Sequence, residues 1–159
     1  MAIKIRPMTQ GENPAVMQIL RNTSEFKPSE VAVAEEVIDS YLLSPNESGY
    51  HILIAEDDST TAGYICYGPT PLTDGTWDIY WIDVARQRQG QGIGSALMES
   101  AENKIRKACG RLAIIETSST PAYEKTRRFH IGHGYAVIAC IPDFYAPGDD
   151  KLILQKRLE

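Results

Sequence analysis

WDIYWIDVARQRQGQGIGSALMESAENKIRK, residues 77–107, is the stretch whose reading decides the fold. Trp77 to Val84 reads as a strand, Ala85 to Gln89 as a short polar link, and Gly90-Gln91-Gly92-Ile93-Gly94 as a glycine turn. A long helix follows, in which Ile93, Leu97, Ala101, Ile105 and Ala108 recur at three- and four-residue spacing, the period of one buried face. A glycine-rich turn feeding a helix start is an anion site on physical grounds. Unpaired backbone N–H groups converge there, and the helix dipole adds about half a positive charge. Three near-consecutive glycines also remove the Cβ atoms that would hold a diphosphate away from the backbone.

Three motifs compete for the identity of the anion. A P-loop needs Gly-Lys-Ser/Thr at the helix start, and Gly94-Ser95-Ala96 has no lysine. A dinucleotide site wants G-x-G-x-x-G directly at a strand end, with an acid after the next strand, a part open to Glu116. Here Ala85 to Gln89 intervenes and Ser95 takes the third glycine position. The third motif, Q/R-x-x-G-x-G/A, is matched by Gln89-Gly90-Gln91-Gly92-Ile93-Gly94, with Val84 ahead of it, Arg86 and Arg88 in the link, and Ala96-Leu97 behind. On these residues the chain resembles the GNAT superfamily of acyl-CoA-dependent N-acyltransferases. Arg128-Phe129-His130 through Gly134-Tyr135 resembles a second pattern of that family, F-Y-x-x-x-G-F/Y, with His130 where tyrosine is usual.

Composition agrees with one compact domain over residues 1–159. A chain of 159 residues with 43% hydrophobic content can bury roughly two thirds of its unfolded surface in a single core. A net charge of −5 argues against nucleic acid or an anionic membrane as partner. Arg86, Arg88, Lys104, Arg106 and Lys107 are expected to concentrate positive charge around the glycine turn. Cys66, Cys109 and Cys140 have neither metal-ligand nor C-x-x-C spacing; they read as small buried hydrophobes in a reducing compartment, the cytoplasm, and no metal is expected. No apolar run is long enough to span a bilayer, and a signal-peptide core is missing.

Taken in order, the chain predicts a strand at Ile3 to Arg6, a brief helix at Ala15 to Leu20, and a second helix from Ser29 to Pro45. A hairpin of Tyr50 to Glu56 and Ala62 to Tyr67 precedes the central strand. Beyond the long helix come a buried strand at Arg111 to Thr117, a helix at Ala122 to His133, a strand at Ala136 to Ile141, a loop at Asp143 to Asp150, and a last strand at Lys151 to Arg157. Strand, helix and strand around the glycine turn make a parallel crossover. The resemblance implies an α/β (α+β) fold of one domain, with a mixed sheet of six to seven strands and about four helices. It also implies that the two central parallel strands splay and that the pantetheine arm of the cofactor lies between them.

The implied function is transfer of an acetyl group from acetyl-CoA, as co-substrate, to a primary amine: a small amine, an amino acid or a peptide. An acyl-CoA-binding regulatory module without turnover is the alternative, and a homodimer is common in the family. Gln89, Gly90, Gln91, Gly92, Ile93, Gly94 and Ser95 are expected to hold the diphosphate, and the backbone near Ile82 and Val84 to polarise the carbonyl. An aliphatic ammonium has a pKa near ~10, so the site must remove a proton before attack. Asp78 and Asp83 are candidates, on opposite faces by strand alternation unless a bulge intervenes. Asp78 is preferred because its offset from the glycine motif matches the family's catalytic carboxylate; Glu116 is a third. For the departing thiolate, His130 stands in the place of the usual phenol, and Tyr123 (expected beside the cofactor) or Tyr145 can supply one instead. The acidic Asp143 to Asp150 loop, which in the family lies beside the acceptor entrance, suggests a cationic acceptor.

Overall fold

The structure, a computed structural model, describes residues 3–159. Seven strands join one sheet in the order β1-β2-β3-β4-β5-β7-β6. They are β1 (Ile3–Pro7), β2 (His51–Asp57), β3 (Thr60–Pro69), β4 (Thr76–Val84), β5 (Leu112–Ser118), β6 (Ala136–Ala146) and β7 (Asp149–Arg157). The helices are α1 (Asn13–Asn22), α2 (Pro28–Leu43), α3 (Ile93–Lys107) and α4 (Glu124–Gly132). β4 and β5 pair in parallel and every other neighbouring pair is antiparallel, so the sheet is mixed as expected.

Two apolar cores sandwich this sheet. Ile93, Leu97, Met98, Ala101 and Ile105 of α3 pack with Leu53, Ile65, Ile79, Ala113, Ile115 and Leu154 on one face. Val16, Leu20, Ala34, Ile38 and Tyr41 of α1 and α2 pack with Ile52, Ile54, Tyr64 and Cys66 on the other. Helix α3 thus buries Ile93, Leu97, Ala101 and Ile105 of the stripe its sequence period predicts, while Ala108, at its C-cap, is exposed. Glu102 is the polar exception in α3's buried face, held by the Tyr135 hydroxyl at 2.8 Å and Lys156 Nζ at 2.8 Å.

The register of β4 decides the geometry of the cleft. β4 and β5 pair only from Thr76↔Leu112 to Ile79↔Ile115. Beyond that point β4 is held by β3 alone and β5 by β7 alone, so the parallel strands part company. A bulge sits where they separate: Tyr67 pairs with Ile79 and Cys66 with Trp81, leaving Tyr80 without an opposite number. The extra residue inverts the alternation, since Ile79 packs with the α3 core and Trp81 with the α1–α2 core. Asp78 and Asp83, separated by simple alternation, therefore share the α1–α2 face.

Three sequence expectations are corrected. The helix expected at Ala122 to His133 begins as a 3-10 turn, Pro121–Tyr123, and becomes α4 only at Glu124, after the constraint of Pro121. The Asp143 to Asp150 loop is mostly strand: β6 runs on to Ala146, with Asp143 at φ 55° in an irregular stretch and Gly148 at φ 81° in the turn. Of the three cysteines only Cys66 is buried; Cys109 and Cys140 are exposed. Among the described residues no helix is long and apolar enough to cross a membrane.

Candidate active site

A cleft of about 1220 Å³ opens where β4 leaves β5. Its floor is Ile82 to Ala85, one wall is the glycine turn with the start of α3, and the opposite wall is the end of α1 with the link to α2. Tyr123, Lys125 and Phe129 close the third side.

The glycine turn is built for close approach. Gly90 and Gly92 have φ of 76° and 82°, in the left-handed region, and a Cβ on either would meet nothing within 4 Å. Gly92 is the N-cap of α3 and no side chain caps the helix, so the first N–H groups of α3 have no partner within the helix. Gly94 serves packing instead: a Cβ there would lie 3.1 Å from Phe129 Cε1. Ser95 Oγ is 2.9 Å from His133 Nε2, and His133 Nδ1 is 2.8 Å from the Phe129 carbonyl. That carbonyl only accepts, so Nδ1 carries a hydrogen, and in the neutral ring Nε2 accepts from Ser95. Gln89 Nε2 donates to the Val84 carbonyl at 3.2 Å, and Lys125 Nζ donates to Gln89 Oε1 at 3.0 Å, tying β4 to α4 across the cleft mouth. The residues fit a diphosphate: an open backbone cradle, a helix N-terminus, and Arg86, Arg88 and Lys125 on the lining. Arg88 is oriented by Asp57 and by Gln91 Oε1. Lys104, Arg106 and Lys107 fall in the last turn of α3, roughly 20 Å along the helix axis from its start, and do not contribute to this patch.

The acid–base candidates are distributed unevenly. Asp83 lines the cleft, only 7% exposed, and Thr23 Oγ1 lies 2.6 Å from its Oδ2. Burial pushes its carboxyl up to about 7, opposed by the Thr23 hydrogen bond and the Val84 N–H and reinforced by Glu25. Asp78 lies roughly 13 Å further down the strand, accepts from Thr70 Oγ1 at 2.7 Å, and is not among the lining residues. Glu116 is exposed and paired with Lys151 at 2.6 Å. His130 is buried at 3% exposure between Phe129 and Tyr135, and burial, with His133, brings its ring down to about 4. Its Nδ1 has no partner among the described residues. Tyr145 is half exposed on β6, edge-on to Phe144. Tyr123 lines the cleft, its hydroxyl 3.0 Å from Glu30 Oε2 and 3.2 Å from the Glu25 carbonyl; burial, then Glu30, pushes its phenol well above the usual range. Thr23, Glu25 and Glu30 come from the α1–α2 region, and no local pattern marks them in the sequence.

A mixed sheet that parts at its centre above a glycine-capped helix defines an acyl-CoA-type transferase fold. The acetyltransferase (GNAT) family model matches residues 14–135, and the chain belongs to this family. A crystal structure of a GNAT-family protein from Desulfovibrio desulfuricans is 39% identical, with TM-score 0.93 over 99% of this chain and 100% of that one. An uncharacterized N-acetyltransferase of Methanocaldococcus jannaschii is 28% identical over 107 residues, 65% of this chain and 64% of the relative, so the match spans less than two thirds of that protein. The PaiA N-acetyltransferase of Thermoplasma acidophilum, solved in complex with coenzyme A, is 16% identical with TM-score 0.78 over 99% of each chain, a likeness of fold.

Proposed function

We propose that the protein transfers the acetyl group of acetyl-CoA to a primary amine by direct attack. The observation that carries this reading is one cleft with an anion cradle at Gly90–Ser95 and a buried carboxyl, Asp83, on the floor beside it. The backbone of Gln89 to Ser95 holds the diphosphate, and the main chain at Ile82 and Val84 orients the thioester. Asp83 takes the proton from the attacking amine, in preference to Asp78, because it faces the cleft and Asp78 does not. As the C–N bond forms the C–S bond breaks, and Tyr123, which holds its proton at neutral pH, supplies one to the departing thiolate. His130 and Tyr145 take no part in this scheme.

The acceptor is a small cationic amine. Glu25 is on the cleft lining with Tyr123, whose hydroxyl donates to the Glu25 carbonyl and to the Glu30 carboxylate behind it. The acids of the β6–β7 hairpin carry less of this argument than their sequence suggests. Asp143 accepts from the Gly148 N–H, Asp149 from Ser118, and Asp150 from the Asp143 N–H. Assembly into a homodimer belongs to the same reading, and edge strand β6, with Val137, Ile138 and Ile141 exposed, is the surface such a pair would cover.

The test is release of free thiol from acetyl-CoA across a panel of polyamines, amino acids and peptides, beside calorimetry with acetyl-CoA. Amine-dependent release fastest with polyamines is expected. Tight binding without any amine-dependent release would favour the regulatory module, a reading supported by the missing tyrosine at His130. Absence of binding would remove both.

A further inference from the structure

We infer that Thr23 is the positioning residue of Asp83, its hydroxyl turning between the Asp83 carboxyl and the Ile19 carbonyl so that the acid stays hydrogen-bonded in both protonation states. The inference rests on the assignment of Asp83 as proton acceptor. Thr23 sits at the C-cap of α1, sixty residues from Asp83 in sequence. Its Oγ1 is 2.8 Å from the Ile19 carbonyl oxygen and 2.6 Å from Asp83 Oδ2. A hydroxyl carries one hydrogen, and the carbonyl can only accept. With Asp83 ionised, that hydrogen points at the carboxylate, and the second contact has none. With Asp83 neutral, the acid's own hydrogen points at Oγ1 and the threonine hydrogen turns to Ile19, so both contacts are made. The proton removed from the amine thus arrives on Oδ2, one rotation of the Thr23 hydroxyl accommodates it, and its return to the cleft reverses the rotation.

The surroundings leave this partner unrivalled. Besides Thr23, the groups that face Asp83 are Tyr64 on β3, Glu25 on the α1–α2 link and the Val84 N–H. Tyr64 pairs with Asp83 in the β3–β4 ladder and its hydroxyl has no partner among the described residues. Among the described residues no cation contributes to the shift of Asp83. Without Thr23 the ionised acid keeps only its neighbouring N–H. An unsatisfied buried charge costs more than an unsatisfied neutral hydroxyl, and the bond to Ile19, a local i−4 contact, is weak.

Thr23→Val keeps the shape and removes the hydroxyl; Thr23→Ser restores it. The Asp83 carboxyl is followed by carbon-13 NMR titration of the ligand-free protein, and the pH profile of kcat/KM is recorded with acetyl-CoA. In Thr23→Val the titration midpoint should rise by about one pH unit, the acidic limb of the profile should move with it, and acetyl-CoA affinity should stay within twofold. Thr23→Ser should return both to within a few tenths of a unit. A Thr23→Val protein that is folded, binds acetyl-CoA and keeps the parental midpoint would overturn the assignment. So would a Thr23→Ser protein displaced as far as Thr23→Val. A midpoint that moves in the ligand-free protein while no amine is acetylated would uphold the Thr23–Asp83 coupling and defeat the acetyl-transfer reading instead.

Discussion

Replacing Asp83 by asparagine should stabilise the protein at alkaline pH while removing its turnover. The carboxyl is raised from 3.8 to about 7 by burial, so the folded state favours its neutral form. Between those values the folded protein binds more protons than the unfolded chain, and stability falls as pH rises through the window. A shift of about 3 units at ~1.36 kcal/mol each makes the full loss about 4 kcal/mol, reached above pH ~7. Roughly 2.5 kcal/mol of it falls between pH 5 and pH 8. Asparagine has almost the same shape and does not ionise. The stability of Asp83→Asn relative to the parent should therefore grow by about 2.5 kcal/mol across that interval, some 5–10 °C in Tm for a chain of this size. Urea unfolding at pH 5, 6, 7 and 8, run in parallel on both proteins, measures this difference directly. Glu12, held down at about 2 by Arg6, and the buried His130, at about 4, also titrate differently in folded and unfolded protein. Both are common to the two proteins and cancel in the comparison. Parallel stability curves, within about half a kcal/mol across the interval, would refute the burial argument for Asp83 and with it the choice of this residue as proton acceptor.

Three further outcomes are expected. Gly92→Val should abolish acetyl-CoA binding in calorimetry, because φ of 82° strains a β-branched residue and its side chain enters the space left for the diphosphate; unchanged affinity would dissolve the anion-cradle reading. Tyr123→Phe should lower kcat by about a hundredfold with little change in KM, the usual scale for one proton donor, and a normal kcat would return the role to Tyr145 or solvent. Glu102→Ala strips the partner from Lys156 and from the buried Tyr135 hydroxyl and should cost about 3 kcal/mol in urea unfolding; a loss below 1 kcal/mol would show that water replaces it.

Much of this protein is legible in one dimension. The stripe Ile93, Leu97, Ala101 and Ile105, the glycine cluster ahead of it and the apolar run Leu112 to Ile115 specify a crossover with a glycine turn at the helix start, because helical period, glycine φ and strand burial are local properties. What the turn can hold follows from backbone N–H groups, which do not depend on distant partners. Lys104, Arg106 and Lys107 follow the glycines closely in sequence, yet a helix of fifteen residues carries them to its far end, away from the turn.

The proton chemistry belongs to the tertiary structure. Alternation along β4 puts Asp78 and Asp83 on opposite faces, and a single unpaired residue, Tyr80, returns them to one face. A bulge is set by pairing with another strand, here β3, and leaves no mark in the bulged strand's own sequence. Whether an aspartate sits near 4 or near 7 depends on who surrounds it. Thr23 and Glu25 reach Asp83 only because α1 and its link fold against the end of β4. Desolvation and hydrogen bonding act through space and weaken sharply with distance, so the sequence could nominate the carboxylates and only the folded chain could set them apart.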